Sequence, residues 1–206
     1  MKYSIIKQAP LYKGFFELSA YELRHDLFAG GECPVITREL LDRKDASGIL
    51  PYDPERDEVV LIEQFRIGAM RNETGPWLIE VIAGYQEPDE NPEQLVMREA
   101  IEEADCTVTD LVPMCHYHSS PGSSNEIIHL FLGRTCSEGL GGIHGLAHEG
   151  EDIRVHVVSS DTAFKWLDSG RIDSGMAIIA LQWFRLNRDK IRHKWLPDGD
   201  KNPSTI

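Results

Sequence analysis

Three features of the amino-acid sequence predict an α/β fold with a small β domain ahead of it. Short apolar runs separated by turn residues occupy the middle of the chain, a proline-initiated helix interrupts them, and two further helical patterns close the chain. Before them, residues 1–48 hold aromatic and β-branched stretches, which predict a separate antiparallel β domain. Residues 49–206 then form the layered α/β domain. With 206 residues, 41% hydrophobic and 27% charged, the chain can bury a substantial core.

In order, LYKGFFELSAYELRHDLF and CPVITRELLD predict several antiparallel strands, divided at Ala29-Gly30-Gly31. ILPYD, EVVLIEQF and WLIEVIAG read as buried strands separated by Asp53-Pro54 and Gly75-Pro76. A helix starts near Pro92, whose missing N–H costs nothing at a first helical position, with Asn91 and Gln94 spaced as a capping box. LVPMCHYH and EIIHLFLG are strand candidates joined by the turn-rich SSPGSSN. The glycine-rich SEGLGGIHGLAHEGED is too long for a tight connection. IRVHVVS follows as a strand, then a short helix near DTAFKWLDSG and a longer one through GMAIIALQWFRLNRDKIRHKWL.

The formal charge of −13 argues against a general nucleic-acid binder, which needs clustered Lys and Arg. No apolar stretch reaches membrane-spanning length, and MKYSIIKQAP lacks the apolar centre of a signal peptide, so a cytoplasmic protein is expected. Cys33, Cys106, Cys115 and Cys136 lack CxxC spacing and are read as buried small apolar residues, without disulfides or structural zinc. His116 and His118 alternate on one strand, and His144 and His148 flank an acidic loop, but no cysteine completes a tetrahedral set.

The chemistry concentrates between Gly84 and Cys106. Met97, Ala100, Ile101 and Ala104 recur at the spacing of one buried stripe, with Glu99 and Glu103 together on roughly the opposite side. Like charges four residues apart repel, and near a helix C-terminus the macrodipole favours cations instead. No lysine is interleaved with Glu99, Glu102 and Glu103, and a hard divalent metal is the usual remedy for such crowding.

This run resembles the Nudix hydrolase signature Gx5Ex7REUxEExGU, where U is bulky and apolar. Gly84, Glu90, Arg98, Glu99, Glu102 and Glu103 stand at its fixed positions, with Ala100 and Cys106 at the apolar ones. Asp105 replaces the family's glycine, and aspartate is among the few residues that tolerate a left-handed helix end. The resemblance implies an α/β/α sandwich with a mixed sheet and hydrolysis of a diphosphate linkage with Mg²⁺ or Mn²⁺. It also implies Glu99 and Glu103 as main metal ligands, Glu102 as a further one, the Ala83 carbonyl in the set, and Arg98 orienting the glutamates.

Beyond the box, IEQFRIG, the Ser119-Ser120-Pro121-Gly122 loop with Glu126, and GIHGLAHEGEDIRVHVV are similar to the bacterial ADP-ribose pyrophosphatase group. That likeness implies ADP-ribose as substrate, with AMP and ribose 5-phosphate as products, and another nucleoside diphosphate sugar such as GDP-mannose as the alternative. A noncatalytic ADP-ribose sensor is the alternative of a different class, although such proteins usually lose box glutamates. In the acidic loop, Glu149 is assigned as general base and Glu151 as metal ligand. Arg66 and Arg38 each read either as phosphate or ribose contacts or as surface ion pairs, Ser120 and Glu126 as substrate contacts, and Phe15 either as an adenine platform or as core. The resemblance further implies a homodimer that exchanges its N-terminal sheet.

Overall fold

The computed structural model describes residues 1–146 and 150–196. The chain divides into two compact units, Met1–Asp45 with His116–Ile128, and Ala46–Cys115 with His129–Ile206.

In the first unit, β1 (Tyr3–Lys13), β2 (Glu17–His25) and β3 (Ile36–Asp42) form an antiparallel sheet in the order β1-β2-β3, as the aromatic and β-branched stretches predict. The segment from His116 to Ile128 joins this unit through specific bonds. Leu41 N donates to Ser123 O at 2.8 Å, Arg43 N to Asn125 Oδ1 at 2.9 Å, and Asn125 Nδ2 to Asp42 Oδ1 at 2.7 Å.

The second unit is built on an eight-stranded sheet containing β4 (Ala46–Asp53), β5 (Glu58–Phe65), β6 (Trp77–Glu80), β7 (Ile82–Tyr85), β8 (Asp110–His118), β9 (Ile127–Arg134), β10 (Gly142–His144) and β11 (Ile153–Ser159). Its order is β10-β11-β5-β4-β9-β8, with β6 paired to β5 and β7 to β4. WLIEVIAG, expected as one strand, is therefore two. Glu80 pairs with Ile62 of β5 and Ile82 with Ile49 of β4, so the run changes partner across Val81.

The sheet carries helices on both faces, as the α/β/α expectation requires. Because side chains alternate along a strand, Val60 and Ile62 point one way and Val59 and Leu61 the other. Val60, Ile62, Ile49, Ile82, Ile153 and Val155 pack with Leu95, Val96, Ala100 and Ala104 of α1 (Pro92–Ala104). On the opposite face, Tyr52 of β4 packs at a tilt against Phe184 of α3 (Gly175–Trp195) at 4.6 Å between ring centroids, and Phe184 meets Phe164 of α2 (Ser160–Asp168) at 5.8 Å. Phe184 is fully buried, which contributes about 1.5–3 kcal/mol.

The α1 helix starts as its sequence predicts. Asn91 Oδ1 accepts from Gln94 N at 2.9 Å, and Gln94 Oε1 accepts from Asn91 N at 3.0 Å. It ends on Asp105 at φ 50°, with Asp105 N donating to Ile101 O and Cys106 N to Ala100 O, both at 2.9 Å. Aspartate thus takes the left-handed position usually given to glycine.

Of the expected α1 stripe, Ala100 and Ala104 are fully buried, but Met97 and Ile101 are not. Met97 and Ile101 are 42% and 56% exposed, whereas Leu95 and Val96 are fully buried and Glu103 is 3% exposed. The helix therefore lies with the glutamate side turned inward along its border. Among the cysteines, Cys33 and Cys106 are buried as expected, but Cys115 and Cys136 are exposed, and all four are free.

Candidate active site

The α1 helix crosses β7, and two details bring its carboxylates against that strand. Glu103 Oε2 accepts from the backbone N–H of Ala83 at 3.2 Å. At Gly84, a Cβ would fall far inside van der Waals contact distance of Glu99 Oε1, so only glycine lets that carboxylate lie on the strand.

Arg98 organises the outer side of the cluster. Its Nε and Nη2 donate to the two oxygens of Glu90 at 2.9 and 3.1 Å, while Nη1 donates to Glu99 Oε1 at 2.9 Å and Glu102 Oε2 at 2.7 Å. One planar cation therefore ties three carboxylates together. The same contacts hold the Glu90 carboxyl below its ordinary range and raise the Arg98 guanidinium further above its own. Glu90 also accepts from Glu87 N at 3.2 Å, closing the loop onto the helix.

The inner side lacks that compensation. Burial, and then the charge of Glu99, push the Glu103 carboxyl up to about 8, against the lowering effect of the Ala83 N–H. Burial likewise raises Glu99, although Arg98 opposes it. Glu151 contributes to both shifts by its charge. It is held in place by Leu146 N, which donates to its Oε2 at 3.0 Å, after Gly145 turns the chain at φ 101°.

Among the described residues, no three His, Cys, Asp or Glu side chains converge as a ready metal-holding group. The donor chemistry nevertheless fits a hard divalent cation. Glu103 is an almost fully buried carboxylate beside a second one, and such a pair must either keep a proton or meet a positive charge. Glu149 lies outside the described residues.

Arg66 follows β5, and its Nε donates to Glu80 Oε2 at 2.6 Å. Its charge also lowers Glu103, which places it in the electrostatic reach of the glutamate cluster. The remaining sequence candidates belong to the first unit. Phe15 is 85% exposed beside Phe16, at 4.8 Å between centroids, so it is not a core residue of this chain. Arg38 is exposed and donates to Thr37 O at 2.8 Å. Ser120 is exposed, its carbonyl accepting from Ser123 N and Ser124 N. Glu126 is 4% exposed and pairs with Arg43 at 3.0 Å.

Sequence reasoning missed Arg43, Glu80 and Gln64. Arg43 carried no local signal, because its partner is distant in the chain. Glu80 and Gln64 did, since each is a polar residue inside an apolar strand run. Gln64 is 7% exposed, and its Nε2 has no hydrogen-bond partner among the described residues.

A family profile described as NUDIX domain matches residues 42–175. The chain is 46% identical over 194 residues to an ADP-ribose pyrophosphatase of Haemophilus influenzae, covering 93% of this chain and 89% of that protein. It is 44% identical over 191 residues to an ADP-ribose pyrophosphatase of Escherichia coli K12, covering 93% and 91%. A GDP-mannose pyrophosphatase of Enterobacter sp. is 32% identical over 189 residues, covering 91% and 97%. Among solved structures, an ADP compounds hydrolase superposes with a TM-score of 0.69 at 17% identity over 93% of this chain and 97% of that one, a likeness of fold.

Proposed function

The chain belongs to the Nudix family, and on that premise we propose that it is a metal-dependent hydrolase that converts ADP-ribose and water into AMP and ribose 5-phosphate. The observation that carries the reading is the pair of buried Glu103 and half-buried Glu99 held against Ala83 and Gly84, beside Glu151. Its 44–46% identical relatives supply the substrate class.

Glu99, Glu103 and the Ala83 carbonyl would hold Mg²⁺, or Mn²⁺ in its place, with Glu102 and Glu151 as further ligands. When bound, such an ion neutralises phosphate oxygens and acidifies water. The protein's own groups do the rest. Arg98 fixes the orientation of Glu99 and Glu102 through its hydrogen bonds. Glu149 accepts the proton of the attacking water as its oxygen bonds to phosphorus and the bridging P–O bond breaks, the electron pair leaving on the departing phosphate. Arg66 and Arg38 contact phosphate or ribose, Ser120 and Glu126 complete the substrate contacts, and Phe15 stacks on adenine.

We assign residues 1–48 to dimerisation and base recognition and residues 49–206 to the hydrolase domain. The protein acts as a cytoplasmic homodimer whose N-terminal sheets are exchanged. The exposure of Phe15 supports that assignment, because a ring at a hairpin tip is available to a partner copy's substrate. Among the described residues, no helix is long and apolar enough to cross a membrane.

A product assay over ADP-ribose, GDP-mannose, NADH and diadenosine polyphosphates, with Mg²⁺, Mn²⁺ or a chelator, tests the function. The expected result is AMP and ribose 5-phosphate from ADP-ribose, lost with chelator, and a particle mass in solution of twice 23.3 kDa. ADP-ribose that binds without yielding AMP would make the protein a sensor, and a higher kcat/KM on GDP-mannose would transfer it to that substrate.

A further inference from the structure

Ser174 stands at the N-cap of α3, where a serine hydroxyl ordinarily accepts a backbone N–H of the first turn. Here it makes no cap bond, and its Oγ instead donates to Glu80 Oε1 at 3.0 Å. The other oxygen of Glu80 accepts from Arg66 Nε at 2.6 Å. The Glu80 side chain is only 14% exposed, whereas that of Arg66 is 44% exposed. A helix terminus has thus given its capping group to a half-buried carboxylate whose other contact is the arginine near the glutamate cluster.

The surrounding loop is closed around the same arginine. Arg66 N donates to Pro76 O at 2.8 Å, and Ala69 N to Arg66 O at 2.9 Å. Asp173, the residue before Ser174, accepts from Asn72 Nδ2 at 2.9 Å, so the start of α3 grips the loop at a second point. Among the described residues, Nε is the one guanidinium nitrogen of Arg66 with a hydrogen-bond partner, which leaves Nη1 and Nη2 without one on a side chain that is 44% exposed.

We propose that Ser174 and Glu80 are positioning residues that hold the Arg66 guanidinium by its Nε edge, so that its other edge receives oxygens of the substrate diphosphate. The inference rests on the phosphate-contact reading of Arg66 given above. A carboxylate next to that arginine weakens its net attraction for an anion, and it also stops a long side chain from swinging away. Fixing the plane matters because two parallel donors match two phosphate oxygens in one orientation only.

Steady-state kinetics on full-length protein with Mg²⁺ and ADP-ribose tests this, using Arg66→Ala, Ser174→Ala, Ser174→Thr and the Arg66→Ala/Ser174→Ala pair. Should the wild type prefer another diphosphate of the panel above, the same cycle runs on that one. Ser174→Ala should raise KM about tenfold with kcat within about twofold, the signature of lost substrate binding by a hydrogen bond to a charged group. Ser174→Thr keeps the hydroxyl and should restore KM. In the Arg66→Ala background, Ser174→Ala should add nothing, because both act through one side chain. A wild-type KM in Ser174→Ala, or an equal additional loss in the Arg66→Ala background, would overturn the clamp while leaving Arg66 as a substrate contact. A wild-type KM in Arg66→Ala would instead refute the phosphate contact and the clamp with it.

Discussion

Replacing Glu103 with glutamine should stabilise the metal-free protein while abolishing its activity. The Glu103 carboxyl titrates near 4.5 when unperturbed and near 8 in the fold, mainly through burial and then through Glu99. Between those values the folded state binds the extra proton, so stability is full below pH 4.5 and falls as pH rises through 8. At 1.36 kcal/mol per pH unit, that window corresponds to on the order of 4 kcal/mol by pH 8, a large share of the roughly 5–15 kcal/mol that holds a domain folded. Glutamine keeps the acceptor for Ala83 N and removes the charge. The assay is urea unfolding followed by tryptophan fluorescence, with chelator, at pH 5 and pH 8. The two proteins should nearly coincide at pH 5 and separate by several kcal/mol at pH 8, with the variant the more stable. Added Mg²⁺ should then stabilise the wild type at pH 8, by about 2.7 kcal/mol at a hundredfold excess over Kd, and leave the variant unmoved. Parallel pH profiles in chelator would refute the account of Glu103 as a buried, charge-crowded carboxylate, and full activity in the variant would refute its role as a metal ligand.

Two further outcomes follow from local geometry. Gly84→Ala places a methyl where Glu99 Oε1 lies, so kcat should fall about a hundredfold through displacement of that carboxylate, with an almost unchanged unfolding midpoint; unchanged turnover would show that Glu99 works from elsewhere. Asp105→Gly relieves a left-handed aspartate and removes a negative charge from the negative end of α1, so it should raise stability by roughly 0.5–1 kcal/mol, and thermal unfolding at a lower midpoint would contradict the capping argument.

Much of the fold could be recognised from short-range pattern. The proline start and capping box of α1, the left-handed Asp105 and the continuous apolar runs of β4 and β5 are all legible within a few residues, and each is found where the pattern places it. The acidic spacing of α1 also announced crowded charge. The phase of that helix was different. Met97 and Ile101 fit an apolar stripe as well as Leu95 and Val96 do, and only the strands beneath α1 decide which side is covered.

By itself, then, the sequence determined element types, helix ends and the crowding of glutamates, because backbone propensity and spacing along one helix are local properties. The tertiary structure alone decided that WLIEVIAG divides at Val81, that Arg43 meets Glu126, and that Ser174 abandons its cap for Glu80, a partner 94 residues away. It also decided that Glu103 is buried enough, and then close enough to Glu99, for its carboxyl to be pushed up to about 8. Desolvation and long-range pairing depend on what else packs around a group, and that surrounding exists only once the chain has folded.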